Sequence, residues 1–286
     1  MDRRLTWLDV FTARPLTGNA LAVVHDADGV DEATMLAFAR ETHLSETTFV
    51  QAATAEGASY RNRIWTTARE IPFAGHPSLG TAVAVALERG EREAEYVQQT
   101  RAGLQPVRVE LRADGVARAS MLQEPAAFGP ELDPVEVLGA AGIAKGAAVP
   151  ELPPQVVSCG VPQLVAPVRD AAALEQPAPN RHALRALLHA HDALTLYLAS
   201  WDATSGRAQA RALWAEGEEV GEDPATGSAA GPLMAYLHAR TGATGLTIDQ
   251  GVAMGRPSRL ECAIDGERVR VAGEAVVVAQ GTVRLA

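Results

Sequence analysis

The 286-residue sequence is poor in several residue types, and each shortage excludes something. It has one lysine, Lys145, and two cysteines, Cys159 and Cys262. Two cysteines cannot build a disulfide framework, and their pairing is not readable from sequence, so two reduced, buried thiols are expected. No stretch approaches the roughly 20 apolar residues of a membrane span. The opening Met1-Asp2-Arg3-Arg4, leading into Leu5-Thr6-Trp7-Leu8-Asp9, lacks the apolar run of a signal peptide. The expectation is a cytoplasmic protein without a membrane partner. A net charge of −10 argues against nucleic acid, whose recognition leans on clustered Lys and Arg. No Cys, His and carboxylate residues stand at metal-ligand spacing, and His189 and His191, two apart on an expected helix, point to different faces. No Gly-rich phosphate loop with a lysine occurs. Neither a metal nor an organic cofactor is therefore expected.

What is present is an ordinary globular composition, 47% apolar and 21% charged, in a chain long enough for two modest domains. Runs rich in Val, Ile, Leu and Trp alternate with Gly/Pro/Asp turns, and about four helical segments interrupt them, an α+β pattern. Three segments recur in the same order. Arg63-Ile64-Trp65 resembles Ala212-Leu213-Trp214, with Trp65 and Trp214 149 positions apart. Gly75-His76-Pro77-Ser78-Leu79-Gly80-Thr81-Ala82 resembles Glu222-Asp223-Pro224-Ala225-Thr226-Gly227-Ser228-Ala229 at an offset of 147. Arg108-Val109-Glu110, followed by Asp114-Gly115, resembles Arg259-Leu260-Glu261, followed by Asp265-Gly266, at 151. The Asp-Gly pairs read as hairpin turns. Three motifs in one order at nearly one offset indicate a duplicated plan.

The second match sets His76 opposite Asp223. Pro77 and Pro224 fall where a first helical residue would be, which puts His76 and Asp223 at the caps. From Pro77 to Leu87 and from Pro224 to Leu237 no residue is charged, so both helices are expected to be buried. Pro232 predicts a kink or a late start in the second. The small residues Gly80, Thr81, Gly227 and Ser228 admit two readings. They allow tight helix-to-sheet packing, or they let a small carboxylate reach the N–H groups and positive dipole end of each helix start.

Six blocks then resemble those of the PhzF-like family, which has a diaminopimelate epimerase-like fold. They are Asp9-Val10-Phe11-Thr12, Pro15-Leu16-Thr17-Gly18-Asn19, Leu44-Ser45-Glu46-Thr47-Thr48-Phe49, Glu70-Ile71-Pro72-Phe73-Ala74-Gly75-His76-Pro77, Gly221 to Ala229, and Gln250-Gly251 with Gly255-Arg256-Pro257-Ser258. Ala20 stands where the family often has Pro, and His43 where Asn is common. The resemblance implies two pseudo-symmetric lobes, each a mixed sheet wrapped around a central helix, with the site between them. The lobes are expected at residues 1–119, with a returning strand at 275–286, and at 120–274. The resemblance also implies a homodimer.

The family's phenazine-pathway member isomerises a dihydro-hydroxyanthranilate with the Glu of the Leu-Ser-Glu block, which carries over to Glu46. The residues agree, because Glu46 precedes the β-branched run Thr47-Thr48-Phe49-Val50, where burial would raise its pKa toward neutrality. An exposed charge guarding a strand edge is the other reading of that position. His76 and Asp223 match the family's polar pair, and for each a plain N-cap is the competing role. Gly75, Gly227 and Ser228 are the expected substrate-carboxylate contacts, and His43 is a candidate for substrate choice. Racemases of this fold use two cysteines at the helix starts. Neither Cys159 nor Cys262 lies at one, and both read as core residues. Three functions share this site: a proton-shifting isomerase of a small amino or hydroxy carboxylate, an epimerase or racemase with non-thiol bases, and a non-enzymatic carboxylate binder.

Overall fold

A computed structural model describes residues 1–175, 177–217 and 219–285. The chain divides into two compact units, one formed by residues 1–122 with Ala272 to the end of the described chain, the other by residues 123–271.

The first unit runs β1 (Asp2–Val10), β2 (Asn19–Val24), α1 (Glu32–Thr42), β3 (Thr47–Gln51), β4 (Tyr60–Trp65), β5 (Glu70–Ile71), α2 (Gly75–Arg89), β6 (Glu93–Thr100), β7 (Gly103–Leu111) and β8 (Val116–Leu122). β1 and β2 are antiparallel, β2 and β3 parallel, and β3 and β4 antiparallel. β4 then takes β5 antiparallel and β6 parallel, and β6 and β7 pair antiparallel. The second unit runs β9 (Ala127–Glu131), α3 (Pro134–Ala140), β10 (Gln155–Ser158), β11 (Pro162–Val168), α4 (Arg181–Ala190), β12 (Leu196–Asp202), β13 (Arg207–Glu216), β14 (Glu219–Asp223), α5 (Gly227–Thr241), β15 (Gly245–Gln250), β16 (Ser258–Asp265) and the start of β17 (Arg268–Arg284). β10 to β16 repeat the pairings of β1 to β7 step by step, including the parallel steps β11 with β12 and β13 with β15. The duplication read from three short motifs thus runs through a whole succession of strands. In the first unit the later part of β17 pairs antiparallel with β1, from Ala275 opposite Val10 to Arg284 opposite Asp2.

Local chemistry sets the element ends. Asp31, Asp133 and Asn180 cap α1, α3 and α4 by accepting from the amides of Thr34, Val135 and Ala183. Gly115 and Gly266, at φ 84° and 62°, supply the left-handed residues of the two Asp-Gly hairpins. Against about four helical segments expected, five α-helices form among the described residues, the seven-residue α3 being one of them. Residues 75–86 of α2 and 227–237 of α5 are buried throughout. α2 packs on strands β1 to β4 and β6 to β8, and α5 on β10, β11, β15 and β16, so an uncharged sequence suits both. Of the kink or late start expected from Pro232, the helix shows no start delayed to that residue: α5 begins at Gly227 and carries Pro232 inside it. The missing N–H there removes a single bond of the helical ladder, and packing on four strands outweighs that loss.

Candidate active site

In the first unit Glu46 immediately precedes β3, and its side chain is 17% exposed. His76 is not the cap of α2, as its sequence position suggested. Ala74, with extended backbone, is the cap, and Gly75, His76 and Pro77 form the first turn. Proline is tolerated there because the first N–H groups of a helix have no intrahelical partner in any case. The Ser78 hydroxyl donates to the Ala74 carbonyl at 2.8 Å and tightens the turn. Drawn into the helix, His76 is buried, with its Nε2 3.5 Å from Glu46 Oε2 and its Nδ1 3.1 Å from Asn19 Nδ2. Burial pushes the imidazole down to about 3, against a smaller opposing effect of a hydrogen bond with the Ala20 backbone. It is therefore neutral at physiological pH. Thr81 Oγ1 donates to Thr48 Oγ1 at 2.8 Å and ties α2 to the strand that follows Glu46. Asn19 opens β2 behind Gly18, whose φ of 68° and 2.5 Å approach of a would-be Cβ to the Val10 carbonyl admit only glycine.

Gly80 packs rather than binds, since a Cβ there would lie 2.6 Å from Leu21 Cδ2 and 2.8 Å from Val10 Cγ2. His43 closes α1 in the left-handed conformation three residues before Glu46 and is exposed.

In the second unit Asp223 is not a cap either. It ends β14, opposite Ala212 of β13, and α5 starts four residues later behind Thr226. Pro224 favours this, since the residue before a proline is biased toward extended backbone, a bias that His76 before Pro77 overrides in α2. Thr226 Oγ1 donates to Asp223 Oδ2 at 2.6 Å. Gln250 Nε2 donates to the Asp223 carbonyl at 2.7 Å and to Thr226 Oγ1 at 3.0 Å. Ser228, in the first turn of α5, receives a hydrogen bond from Gln163 Nε2 at 3.3 Å, and Thr195 Oγ1 donates to Gln163 Oε1 at 2.7 Å. The Gly227 carbonyl accepts from Gln123 Nε2 at 2.9 Å. Among the described residues no side chain caps α2 or α5, in contrast to α1, α3 and α4.

Each unit thus gathers its own set, Glu46, His76 and Gly75 in one and Asp223, Gly227 and Ser228 in the other. Sequence reasoning gave no role to Asn19, Gln163, Thr226 and Gln250. A buried amide at the end of a strand, as in Asn19 of the otherwise apolar NALAVV and Gln250 in register with Leu246 and Ile248 of GLTIDQ, was the available signal. Cys159 follows β10 and Cys262 lies in β16, both buried free thiols, and burial pushes Cys159 up to about 12 and Cys262 upward as well. Among the described residues no three His, Cys, Asp or Glu side chains are grouped to hold a metal ion, and no helix is long and apolar enough to cross a membrane.

The fold is a mixed α+β arrangement of the epimerase-like kind. A hydroxyproline epimerase from Agrobacterium vitis, solved with bound trans-4-hydroxy-L-proline, matches it with a TM-score of 0.64 over 99% of this chain and 92% of that one, at 15% identity, a likeness of fold alone. The family model described as phenazine biosynthesis-like protein, PhzC-PhzF, matches residues 8–281, and the chain belongs to that family. It is 36% identical over 287 residues to the trans-2,3-dihydro-3-hydroxyanthranilate isomerase of Pseudomonas aeruginosa, covering 97% of this chain and 98% of the relative. The structure of a predicted epimerase from Pseudomonas aeruginosa, also 36% identical, has a TM-score of 0.86 and covers 98% of this chain and 99% of that one.

Proposed function

We propose that this protein is a cofactor-independent isomerase that shifts a proton on a small amino or hydroxy carboxylate, with Glu46 taking the proton from carbon and returning it to another position. The observation that carries the reading is the pair formed by Glu46 and a neutral, buried His76, 3.5 Å apart. With Asn19 Nδ2 donating to Nδ1, the ring proton sits on Nε2, the nitrogen 3.5 Å from Glu46 Oε2. A neutral imidazole in that place can hydrogen-bond a substrate hydroxyl or amine without competing for the migrating proton. In the second unit Asp223 is the polar group offered to a substrate N–H or O–H. The first-turn N–H groups at Gly75 in the first unit, and those at Gly227 with the Ser228 hydroxyl in the second, are the groups assigned to carboxylate binding. The family and the 36% identity to a named isomerase support proton-shift chemistry over simple binding. A two-thiol racemase finds no support, since burial holds both cysteines protonated and neither stands at a helix start.

The test is incubation in deuterium oxide with a panel of small amino and hydroxy carboxylates, followed by NMR for carbon-bound deuterium. With a substrate so found, Glu46→Gln should lose at least about 10²–10⁴-fold in turnover, the usual contribution of general acid/base assistance. Affinity measured by calorimetry should change far less, because the assigned carboxylate contacts are untouched. Near-normal turnover in the Glu46→Gln protein would falsify the mechanism.

A further inference from the structure

The buried polar side chains around Asp223 can be given hydrogen-bond directions without ambiguity. The Gln250 amide lies between two backbone groups, its Nε2 2.7 Å from the Asp223 carbonyl oxygen and its Oε1 3.3 Å from the Thr226 amide nitrogen. A carbonyl only accepts and an amide N–H only donates, so the flipped side chain would set oxygen against oxygen and N–H against N–H. With the amide fixed, the remaining bonds follow. Gln250 Oε1 can only accept, so the Tyr197 hydroxyl, 2.9 Å away, donates to it. Gln250 Nε2 can only donate, so Thr226 Oγ1, 3.0 Å away, accepts. The Thr226 proton is then directed at Asp223 Oδ2, 2.6 Å away. Each donor in this series, Tyr197 to Gln250 to Thr226 to Asp223, points toward the carboxylate. The fold lines them up, since Tyr197 is on β12, Asp223 and Thr226 flank the β14-to-α5 turn, and Gln250 ends β15 beside Ala210 of β13. Gln250 is held in turn by Gly251, where a Cβ would come 2.6 Å from the Pro224 carbonyl and 2.4 Å from that of Arg256.

We propose that Tyr197, Gln250 and Thr226 form a one-directional hydrogen-bond relay whose work is to keep Asp223 ionised and in one orientation, making Thr226 and Gln250 positioning residues for it. The proposal rests on the reading of Asp223 as a substrate-facing group. A series of donors that ends on a carboxylate oxygen stabilises the charged form of the acid and disfavours a proton on that oxygen. Asp223 is thereby assigned as the fixed anion that attracts a substrate N–H or O–H, leaving proton removal to Glu46. The neutral imidazole of the first unit and the held carboxylate of the second are polar groups of opposite protonation preference.

Other ionisable groups on the surrounding elements leave this assignment intact. Tyr197 of β12 is pushed well above its ordinary range, first by burial, with the Asp223 carboxylate adding to it, so it remains a neutral donor. Arg211 of β13, Glu222 of β14 and Asp249 of β15 are sequence neighbours of the paired positions and alternate to the opposite face. There Arg211 pairs with Glu222, and Asp249 with Arg207 and Arg259. The first turn of α5 contributes no acid.

The experiment is a carboxyl-13C NMR titration of aspartate-labelled protein, with the Asp223 signal assigned by its loss in Asp223→Asn. Thr226→Val keeps the shape and removes the last donor, and it should raise the Asp223 midpoint by about one pH unit. Thr226→Ser should restore the parent midpoint. Gln250→Met should move it in the same direction by less, and Tyr197→Phe by less again, and these two decide the matter if Thr226→Val fails to fold. The acid limb of the turnover profile should follow the same order. Parent-like midpoints in folded Thr226→Val, or in both of the other variants, overturn the relay even if Asp223→Asn abolishes turnover. A shifted midpoint beside an active Asp223→Asn protein leaves the relay standing and removes Asp223 from the chemistry.

Discussion

The two units follow one succession of strand pairings, yet their matched octapeptides fold differently. Gly75 to Ala82 is helical from its first residue, whereas Glu222 to Ala229 stays extended to Asp223, turns, and becomes helical only at Gly227. His76 is consequently carried into a buried helix and loses its charge, while Asp223 stays at a strand end among donors. The difference teaches that a duplicated scaffold can hold two unlike polar groups by shifting where a helix begins, without changing the order of its strands. The same contrast runs through the supporting amides, with one carboxamide, Asn19, against His76 in the first unit and a relay through Gln250 in the second.

The repeated ion pairs sharpen the comparison most. Arg63 holds Glu70 with two bonds of 2.7 Å, and Glu70 is only 5% exposed. Arg211 holds Glu222 through Nε at 2.9 Å and through Nη2, and also donates to the Leu174 carbonyl at 2.8 Å. Removing one partner of a buried pair typically costs about 3–5 kcal/mol. Arg101 remains 3.2 Å from Glu70 and softens the loss in Arg63→Met, so about 3 kcal/mol is expected there and rather more in Arg211→Met. Urea denaturation of the two variants measures this. A smaller loss from Arg211→Met would show that depth of burial, not the number of remaining cations, sets the cost.

Acid should act through the first unit. His25, buried with its Nε2 2.9 Å from Thr6 Oγ1, is pushed down to about 4 by burial and then by Arg4, against a smaller opposing effect of Asp26. His76 is pushed down to about 3. Above pH 6.5 both imidazoles are neutral whether folded or not, and stability is unaffected. Below 6.5 the unfolded chain takes up protons that the folded one refuses, so each histidine lowers stability by up to about 1.4 kcal/mol per pH unit until its folded value is reached. At pH 5, His25→Gln should recover roughly 2 kcal/mol of the loss seen on going from pH 7.5. Equal pH slopes for parent and variant in urea titrations would place the acid sensitivity elsewhere.

Much of this was legible beforehand, and physics says which part. The uncharged stretches after Pro77 and Pro224 announced two buried helices because a helix with a solvent face must show it every third or fourth residue. The Asp-Gly turns announced hairpins because few other pairs fit them. The helix starts misled because proline at the third position of a helix looks, in sequence, like proline at the first. The structure resolves the two cases only through Ala74 on one side and the extended Asp223 on the other. Asn19, Gln163, Thr226 and Gln250 carry no periodic signal at all. One polar residue in a strand is indistinguishable from a solvent-facing one until the strands pair.

The smallest expected effect concerns the two cysteines, which both belong to the second unit and have no counterpart in the first. If the units differ because one carries a reactive thiol, replacing both should abolish turnover. If they differ through Asp223 and its donors, as argued here, the thiols serve packing only. Burial holds Cys159 up at about 12 and raises Cys262 too, so a thiolate is scarce at neutral pH. Cys159→Ser with Cys262→Ser buries two hydroxyls in place of weakly polar sulfurs, and a buried hydroxyl without a partner costs about 1–3 kcal/mol. Protein that remains folded should turn over within about twofold of the parent, since a residue outside the reacting groups leaves transition-state contacts unchanged. Thermal melts and turnover on the same preparation separate the two effects. A melting point near the parent's beside a rate lost by orders of magnitude would return the chemistry to a thiol and remove the reason for the relay in the second unit.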